Sequence, residues 1–151
     1  MPLMDGLRVV RSKIHGYGVI ATRAFNEGDV ITEIDGILFR ASERADDRCT
    51  LWLGDDLYLD MLDQMRWLNH SCEPNVWIDT GIREDGTPWA HVIALRPIQA
   101  SEELTLDYAF EVHQAERCQC GAPSCRGWIV DDAKLAAAST ATPAALSRRA
   151  G

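Results

Sequence analysis

The sequence is short of positive charge, with 15 lysine and arginine residues against 23 aspartate and glutamate residues and a net charge of −8. Nucleic-acid-binding proteins neutralise phosphates with a basic face, so this balance argues against that class and favours a basic partner. No apolar run approaches the roughly 18 residues of a membrane-spanning helix. Asp5 and Gly6 stand where a signal peptide needs an unbroken apolar stretch. These absences predict a cytoplasmic protein, with a nuclear location as the alternative, and no membrane or nucleic-acid partner.

Cysteine is also scarce, and the five residues present are an odd number that cannot pair completely into disulfides. Three of them, Cys118, Cys120 and Cys125, fall within eight residues, a density typical of a metal site. The alternative is a loop of unrelated thiols. Tetrahedral zinc takes four thiolate or imidazole ligands, so the cluster needs one more. Spacing alone leaves these candidates open for the fourth ligand: Cys49, Cys72, His70 and His113.

The chain does have enough apolar residues, 46%, to bury one globular core. They occur in short strand-like segments such as residues 19–22, 30–34 and 104–106. Turn signals such as Asp35-Gly36 separate these segments. The spacing predicts a mostly β fold of small sheets. Helical signals are limited to a short turn near residues 63–68 and a short surface helix that begins near residue 133.

Three polar segments carry candidate chemistry. Residues 67–75 read Trp-Leu-Asn-His-Ser-Cys-Glu-Pro-Asn, residues 103–110 read Glu-Leu-Thr-Leu-Asp-Tyr-Ala-Phe, and residues 15–18 read His-Gly-Tyr-Gly. Each also has an ordinary structural interpretation: a polar loop that caps backbone groups, an amphipathic strand with a buried tyrosine, and a tight turn between strands. Taken singly, the structural interpretation of each segment is at least as strong as the functional one.

Together and in this order, the three segments and the cysteine loop resemble the SET-domain protein lysine methyltransferases. The stretch at residues 69–75 and the cysteine loop are the most specific parts, and the resemblance spans about residues 7–129. It implies a β-clip fold of small curved sheets with a C-terminal pseudoknot. The implied units are a SET domain over 5–112, a post-SET zinc loop over 113–132 and a flexible or short helical tail over 133–151. We expect a minimal, stand-alone version of the family.

The resemblance implies S-adenosylmethionine as the methyl donor and a lysine of a basic protein, such as a histone, as the acceptor. It assigns catalysis to Tyr108, whose hydroxyl would orient the amine. One structural zinc ion would be bound by Cys72, Cys118, Cys120 and Cys125, with Cys49 left over. The cofactor-binding residues implied in the same way are Gly16, Tyr17, Gly18, Arg66, Asn69, His70, Tyr108 and Trp128.

Two residues depart from the family pattern in the expected substrate channel. Many relatives have tyrosine at the position of Ile34, and phenylalanine or tyrosine at the position of Leu106. With Phe110, these residues are expected to line the channel, and the missing hydroxyls predict a roomier channel that permits more than one methylation. Asp107 is expected to support the strand. General-base catalysis by His70 is the alternative, and the implied backbone role of that residue at the cofactor counts against it.

Three functions account for this pattern to different degrees. An active protein lysine methyltransferase is favoured because Tyr108, the Asn69-His70 pair and the zinc loop occur in one chain. A SET-like binding module without catalysis is the second, motivated by Ile34 and Leu106. A redox or zinc-handling protein built on the Cys-x-Cys pair is the third, and it leaves the rest of the pattern unexplained.

Overall fold

The computed structural model describes residues 4–44 and 49–140. In chain order its strands are β1 Leu7–Arg11, β2 Tyr17–Ala21, β3 Val30–Glu33, β4 Gly36–Arg40, β5 Thr50–Gly54, β6 Leu57–Met61, β7 Asn69–His70, β8 Val76–Ile82, β9 Pro88–Ala94, β10 Glu103–Leu106, β11 Glu116–Arg117 and β12 Trp128–Ile129. Short 3-10 helices occupy Gln64–Trp67, Val112–Gln114 and Asp132–Lys134, and helix α1 spans Leu135–Thr140.

The strands form three small sheets and a two-stranded ribbon within the described residues. The sheet orders are β1-β2-β10-β7, β3-β9-β8 and β4-β6-β5, and β11 pairs with β12. The prediction of a mostly β fold of small sheets is therefore confirmed. No described helix is long and apolar enough to span a membrane.

Strand β10 occupies an interior position that brings distant parts of the sequence together. It pairs antiparallel with β2, where Glu103 is opposite Ile20, and parallel with β7, where Leu106 is opposite His70. The segment that leads to Tyr108 therefore runs beside the Asn-His pair and close to the glycine-containing turn before β2. The three polar segments singled out in the sequence meet around this strand.

The short helical segments agree in place with the sequence signals. Asp63 caps the 3-10 helix Gln64–Trp67, because its side chain accepts a hydrogen bond from the Met65 amide. The predicted C-terminal helix is present as α1. The part of the predicted tail beyond Thr140 lies outside the described residues.

The main core lies among the sheets, and its buried residues fall between Leu7 and Leu104. Val19, Val92, Ile98 and Leu104 are completely buried members of it. A second, much smaller cluster of Ala115, Val130 and Ala138 lies under the C-terminal segment, with Val112, Trp128 and Leu135 packed against it. The segment after β10 therefore has little apolar packing of its own.

Substitution of Leu104 should show how strongly β10 anchors the main core. We expect Leu104→Ala to lower the free energy of unfolding by about 2–5 kcal/mol, because it removes a fully buried side chain and leaves a cavity. Urea denaturation followed by circular dichroism measures this change. Leu62→Ala, at a side chain that is 43% exposed, is the matched control. Equal losses in the two variants would contradict the central position of Leu104.

Candidate functional site

A cavity of about 330 Å³ opens where the three polar segments meet. Its walls come from residues 14–17, 66–70 and 116–120 and from Cys49, Tyr108, Phe110 and Ile129. The predicted site residues that line it are Gly16, Tyr17, Arg66, Asn69, His70, Tyr108 and Phe110. The structure thus brings most of the expected cofactor residues to one cavity.

The Asn69 side chain fixes the turn that forms one wall of the cavity. Its Nδ2 donates to the carbonyl oxygens of His15 at 3.1 Å and of Tyr17 at 2.8 Å, and to Glu103 Oε1 at 2.9 Å. Gly16, between the two carbonyl acceptors, has a φ of +49°, a left-handed conformation that favours glycine. Asn69 therefore shapes the cavity by holding its wall, and the side chain is largely committed to that role.

Gly18 leaves space for Glu103, one of the hydrogen-bond partners of Asn69, because it has no side chain. A Cβ atom at this position would lie 2.1 Å from Glu103 Oε1. Glu103 accepts hydrogen bonds from Ser12 Oγ at 2.8 Å and from Asn69. Gly18 was expected at the cofactor, but it does not line the cavity, and its absent side chain makes room for the partly buried carboxylate of Glu103.

Gly18→Ala should therefore alter the cavity indirectly, by displacing Glu103 from the hydrogen bonds that hold the cavity wall. We expect a loss of about 1–3 kcal/mol in the free energy of unfolding, because the methyl group displaces Glu103 from its partners, together with weaker binding of any ligand in the cavity. Thermal unfolding and calorimetric titration measure the two effects. Gly86→Ala is the control, since a Cβ there meets no atom within 4 Å and only backbone strain at a φ of +84° is added. Unaltered ligand affinity in Gly18→Ala would count against the network.

His70 is buried and both of its ring nitrogens have partners. Its Nδ1 accepts the backbone N–H of Tyr108 at 3.1 Å, and its Nε2 lies 3.4 Å from Cys72 Sγ. Burial, which outweighs the attraction of Asp107, lowers the pKa of His70, so the ring is neutral. Acceptance of the Tyr108 N–H at Nδ1 assigns the ring proton to Nε2. This geometry leaves no ring nitrogen to act as a general base.

Tyr108 presents its ring to the cavity from the turn that follows β10. Its hydroxyl donates to the Leu68 carbonyl oxygen at 2.5 Å, so the phenol oxygen is oriented by a backbone group. The Phe110 ring lies beside it with 5.3 Å between centroids. Ala109, between the two aromatic residues, has a φ of +45°, an uncommon conformation for a residue with a Cβ atom. The turn thus lets both aromatic residues line one cavity, and it requires an unfavourable backbone conformation at Ala109.

Asp107 forms a two-pronged ion pair with Arg126. Its Oδ1 and Oδ2 accept from Arg126 Nη2 and Nη1, both at 2.7 Å, and Oδ1 also accepts the Ala109 amide at 3.0 Å. Burial raises the pKa of Asp107, but the Arg126 hydrogen bonds outweigh it and the pKa lies below its ordinary value. The carboxylate is therefore ionised and supports the turn after β10, whereas the prediction placed its support at the strand.

The structure brings together the four cysteines that the resemblance assigned to zinc, since their sulfur atoms all lie within 4.8 Å of one another. The sulfurs of Cys72 and Cys118 are 3.7 Å apart, close to the ~3.8 Å spacing in a tetrahedral site with Zn–S distances of ~2.3 Å. Backbone amides of Cys72, Arg126 and Gly127 point at sulfurs of the cluster. An all-thiolate donor set with amide N–H···S contacts fits a structural zinc ion.

The environment shifts the pKa values of three cluster thiols in different directions. Burial raises the pKa of Cys72 and of Cys118. At Cys120, burial is outweighed by hydrogen bonds from the backbone amides of Cys72 and Ala122, which lower the pKa to about 6. The lowered pKa of Cys120 favours its thiolate form, which is the form that binds a cation.

Hydrogen bonds to Glu73 fasten the cysteine loop to the rest of the domain, and a backbone hydrogen bond closes the loop on itself. Glu73 Oε1 accepts the Ser124 amide at 2.9 Å and the Ser124 hydroxyl at 2.5 Å. The Cys118 amide donates to the Gly127 carbonyl at 3.0 Å and closes the base of the loop next to the β11–β12 ribbon. The loop residues Cys118, Gln119 and Cys120 line the same cavity as Tyr108.

Besides Gly18, three of the predicted cofactor and channel residues do not line this cavity. Trp128 packs on the small C-terminal cluster, and the Arg117 guanidinium lies 4.2 Å above its ring centroid. Ile34 is only 5% exposed and lines a second cavity of about 190 Å³. Leu106 packs against the main core. Ile34 and Leu106 therefore do not line the cavity that Phe110 lines, and their shared substrate channel stays a prediction.

Small sheets, a cavity built from three separated polar segments and a four-cysteine cluster in its wall define a ligand-binding β domain with a loop suited to zinc. Comparisons with known proteins identify its family. A model of the SET domain matches residues 16–109. Histone-lysine N-methyltransferase 2B of Homo sapiens is 34% identical over 144 residues, which cover 83% of this chain and 5% of that protein.

The H3 lysine-4 specific histone-lysine N-methyltransferase of Schizosaccharomyces pombe is 34% identical over 135 residues, which cover 78% of this chain and 14% of that protein. The solved structure of KRYPTONITE in complex with mCHH DNA, H3(1-15) peptide and SAH shares the fold, with a TM-score of 0.71 and 23% identity over 82% of this chain and 29% of that chain. The chain belongs to the SET domain family, and it spans only a small fraction of the length of these relatives.

Proposed function

We propose that this domain transfers a methyl group from S-adenosylmethionine to the side-chain amine of a lysine in a protein substrate. The observation that carries the proposal is the oriented Tyr108 hydroxyl in the wall of a cavity that the Asn69-bound turn and the cysteine loop also line. The names of relatives such as histone-lysine N-methyltransferase 2B support it. The neighbour with the same fold was solved with SAH, the demethylated form of the proposed donor.

The reaction needs an uncharged amine in a site that supplies no strong base. A lysine with a pKa of ~10.4 is neutral in only about one molecule in 2,500 at pH 7, a cost of about 4.6 kcal/mol. Removal from water between aromatic side chains such as Tyr108 and Phe110 favours the uncharged form, and the sulfonium charge of the donor acts in the same direction. Water can therefore accept the proton before the amine enters the site.

Tyr108 has a positioning and electrostatic role in this proposal. Because its proton is donated to the Leu68 carbonyl, the phenol oxygen presents an acceptor toward the cavity. That oxygen can accept an amine N–H and stabilise the partial positive charge on the methyl group during its transfer. His70 and Asp107 take no part as bases, because the His70 nitrogens and the Asp107 oxygens are engaged by other partners.

The cavity residues have distinct proposed roles toward the donor. The turn at residues 15–17, held by Asn69, would bind the donor through its backbone, and Arg66 would shape the pocket. S-adenosylmethionine, when bound, supplies the electrophilic methyl group. Zinc would bind Cys72, Cys118, Cys120 and Cys125 and fix the loop that closes the cavity. Four thiolates leave no open position for a water ligand, so the proposed metal role is structural.

We further propose a basic protein, of the histone kind, as the substrate. The net charge of −8 supports a Lys- and Arg-rich partner through electrostatic steering. The relatives from Homo sapiens and Schizosaccharomyces pombe carry histone lysine in their names. The exclusion of nucleic acid stays a prediction from charge alone.

A transfer assay tests the activity directly. The protein is incubated with methyl-labelled S-adenosylmethionine and either core histones or a cell lysate, and modified lysines are located by mass spectrometry. We expect incorporation into lysine that depends on the zinc-loaded protein. Cofactor binding by calorimetry with no transfer to either substrate source would instead favour the binding module, and absence of both would reject the proposal.

A further inference from the structure

We propose that Arg126 and Asp107 are positioning residues that couple the four-cysteine cluster to the turn bearing Tyr108. Neither residue is a metal ligand, and neither touches the proposed reacting atoms. The kinetic part of this inference rests on the proposed methyl transfer, whereas its metal-binding part can be measured without any activity.

Arg126 is joined to the cysteine cluster through its backbone. It directly follows Cys125, and its amide N–H lies 3.4 Å from the Cys72 sulfur. Its side chain is only 11% exposed, so the guanidinium cannot move far without leaving the interface. The backbone of Arg126 is therefore set by the sulfur positions, and its side chain extends from there toward the strand region.

Asp107 binds the Arg126 side chain and also binds the backbone of the turn. The two parallel N–H···O contacts at 2.7 Å define both the distance and the orientation of the carboxylate. The same carboxylate accepts the Ala109 amide and thereby stabilises the left-handed φ of +45° just after Tyr108. Loss of the ion pair would release the strained turn on which the Tyr108 ring depends.

A second connection runs parallel to the first. The amide of Tyr108 is bound by His70 Nδ1, and the opposite nitrogen of that ring faces the Cys72 sulfur. The backbone before, at and after Tyr108 is thus tied to the cysteine cluster by two bridges that both end at the Cys72 sulfur, and His70 Nδ1 of one lies 3.5 Å from Asp107 Oδ1 of the other. Because rigid contacts with no intervening solvent join the two places, the metal and the turn should stabilise one another.

The coupling can be measured through the zinc dissociation constant, because coupling between two sites is reciprocal. If zinc favours the ordered turn by some factor, then the groups that order the turn favour zinc by the same factor. We expect Asp107→Asn to raise the zinc dissociation constant by about five-fold or more, a coupling at the lower end of the usual range. Competition with a chromophoric chelator measures it. An unchanged dissociation constant would overturn the proposal.

The matched control is Asp56→Asn, which breaks another arginine–aspartate pair, with Arg40, at an exposed hairpin. It should leave the zinc dissociation constant unchanged. In Arg126→Gln we expect the same increase in the zinc dissociation constant as in Asp107→Asn. The double variant should bind zinc as tightly as either single variant. Additive losses in the double variant would mean that the two residues act separately, which contradicts the coupling.

The kinetic measurement separates positioning from general stability. With zinc fully loaded, Asp107→Asn and Arg126→Gln should each lower kcat about ten-fold or more, with little change in KM for the methyl donor. Arg126→Lys keeps the positive charge but loses the two parallel N–H donors of the guanidinium. Its kcat should therefore fall between those of Arg126→Gln and the unaltered protein. A normal kcat in the zinc-loaded Asn and Gln variants would refute the positioning role. If the unaltered protein transfers no methyl group, the proposed function fails, and the zinc measurement alone decides the coupling.

Discussion

Tyr108→Phe should lower kcat for methyl transfer by roughly 10²–10³-fold, the range observed when a single group that stabilises transition-state charge is removed. The substitution removes only the phenol oxygen, whose proton is donated to the carbonyl of Leu68, another residue that lines the cavity. Without it, the amine loses a hydrogen-bond acceptor, and the methyl group in transfer loses a nearby partial negative charge. The Km for the donor should change little, because the ring remains in the cavity wall.

Steady-state assays with labelled donor measure this effect, together with zinc content and thermal unfolding to verify the fold. The lost hydrogen bond to Leu68 should lower stability by only about 1 kcal/mol. Tyr58→Phe is the matched control: it removes the same atom from a ring that stacks on Phe39 in the β4-β6-β5 sheet. We expect Tyr58→Phe to keep its kcat. Unchanged turnover in Tyr108→Phe would refute the assigned role.

Removal of zinc is expected to have the second large effect. Chelation, or Cys120→Ser, should abolish methyl transfer and make residues 118–127 cleavable by trypsin, with the cleavage rate rising about 100-fold or more. Structural zinc contributes about 10 kcal/mol or more in small metal-folded units, and the main core contains no residue of this loop. The loop is otherwise fastened by few contacts, chiefly those of Glu73 with Ser124 and of Arg126 with Asp107.

The loss of structure on zinc removal should be confined to the cysteine loop. Circular dichroism of the metal-free protein should retain the β signal, because the main core draws on residues between Leu7 and Leu104. Readdition of zinc should restore both protease resistance and transfer. Cys49→Ser, which alters the one cysteine outside the cluster, should keep a full complement of zinc. Global unfolding on chelation would show that the metal supports the entire domain and would contradict the separation of the two cores.

The sequence predicted the fold class and the cysteine cluster for identifiable reasons. Short apolar segments between turn signals such as Asp35-Gly36 indicated small sheets, since hydrophobic alternation is a local property. Three cysteines in eight residues indicated a metal loop for the same reason. The fourth ligand was different, because spacing left four candidates and only the resemblance selected Cys72.

What the sequence did not indicate depends on long-range contacts. Ser12 and Glu103 are 91 positions apart, and nothing local to either predicts their hydrogen bond. Arg126 and Asp107 adjoin a cysteine and the tyrosine, which is the one signal that could have found their pairing. The expected role of Trp128 at the cofactor depended on the path of the loop, which sets whether its ring faces the cavity or the C-terminal cluster.

The interior position of β10 has a consequence for how the chain acquires its structure. Strands β2 and β7 each leave one edge for a partner that lies far later in the chain, so the sheet cannot close by pairing of sequential neighbours. During synthesis these edges must stay unpaired until residues 103–106 leave the ribosome, and long-range pairing of this kind is slow. The cavity is therefore a late product of folding, and a nascent chain halted before β10 would present two open strand edges to aggregation.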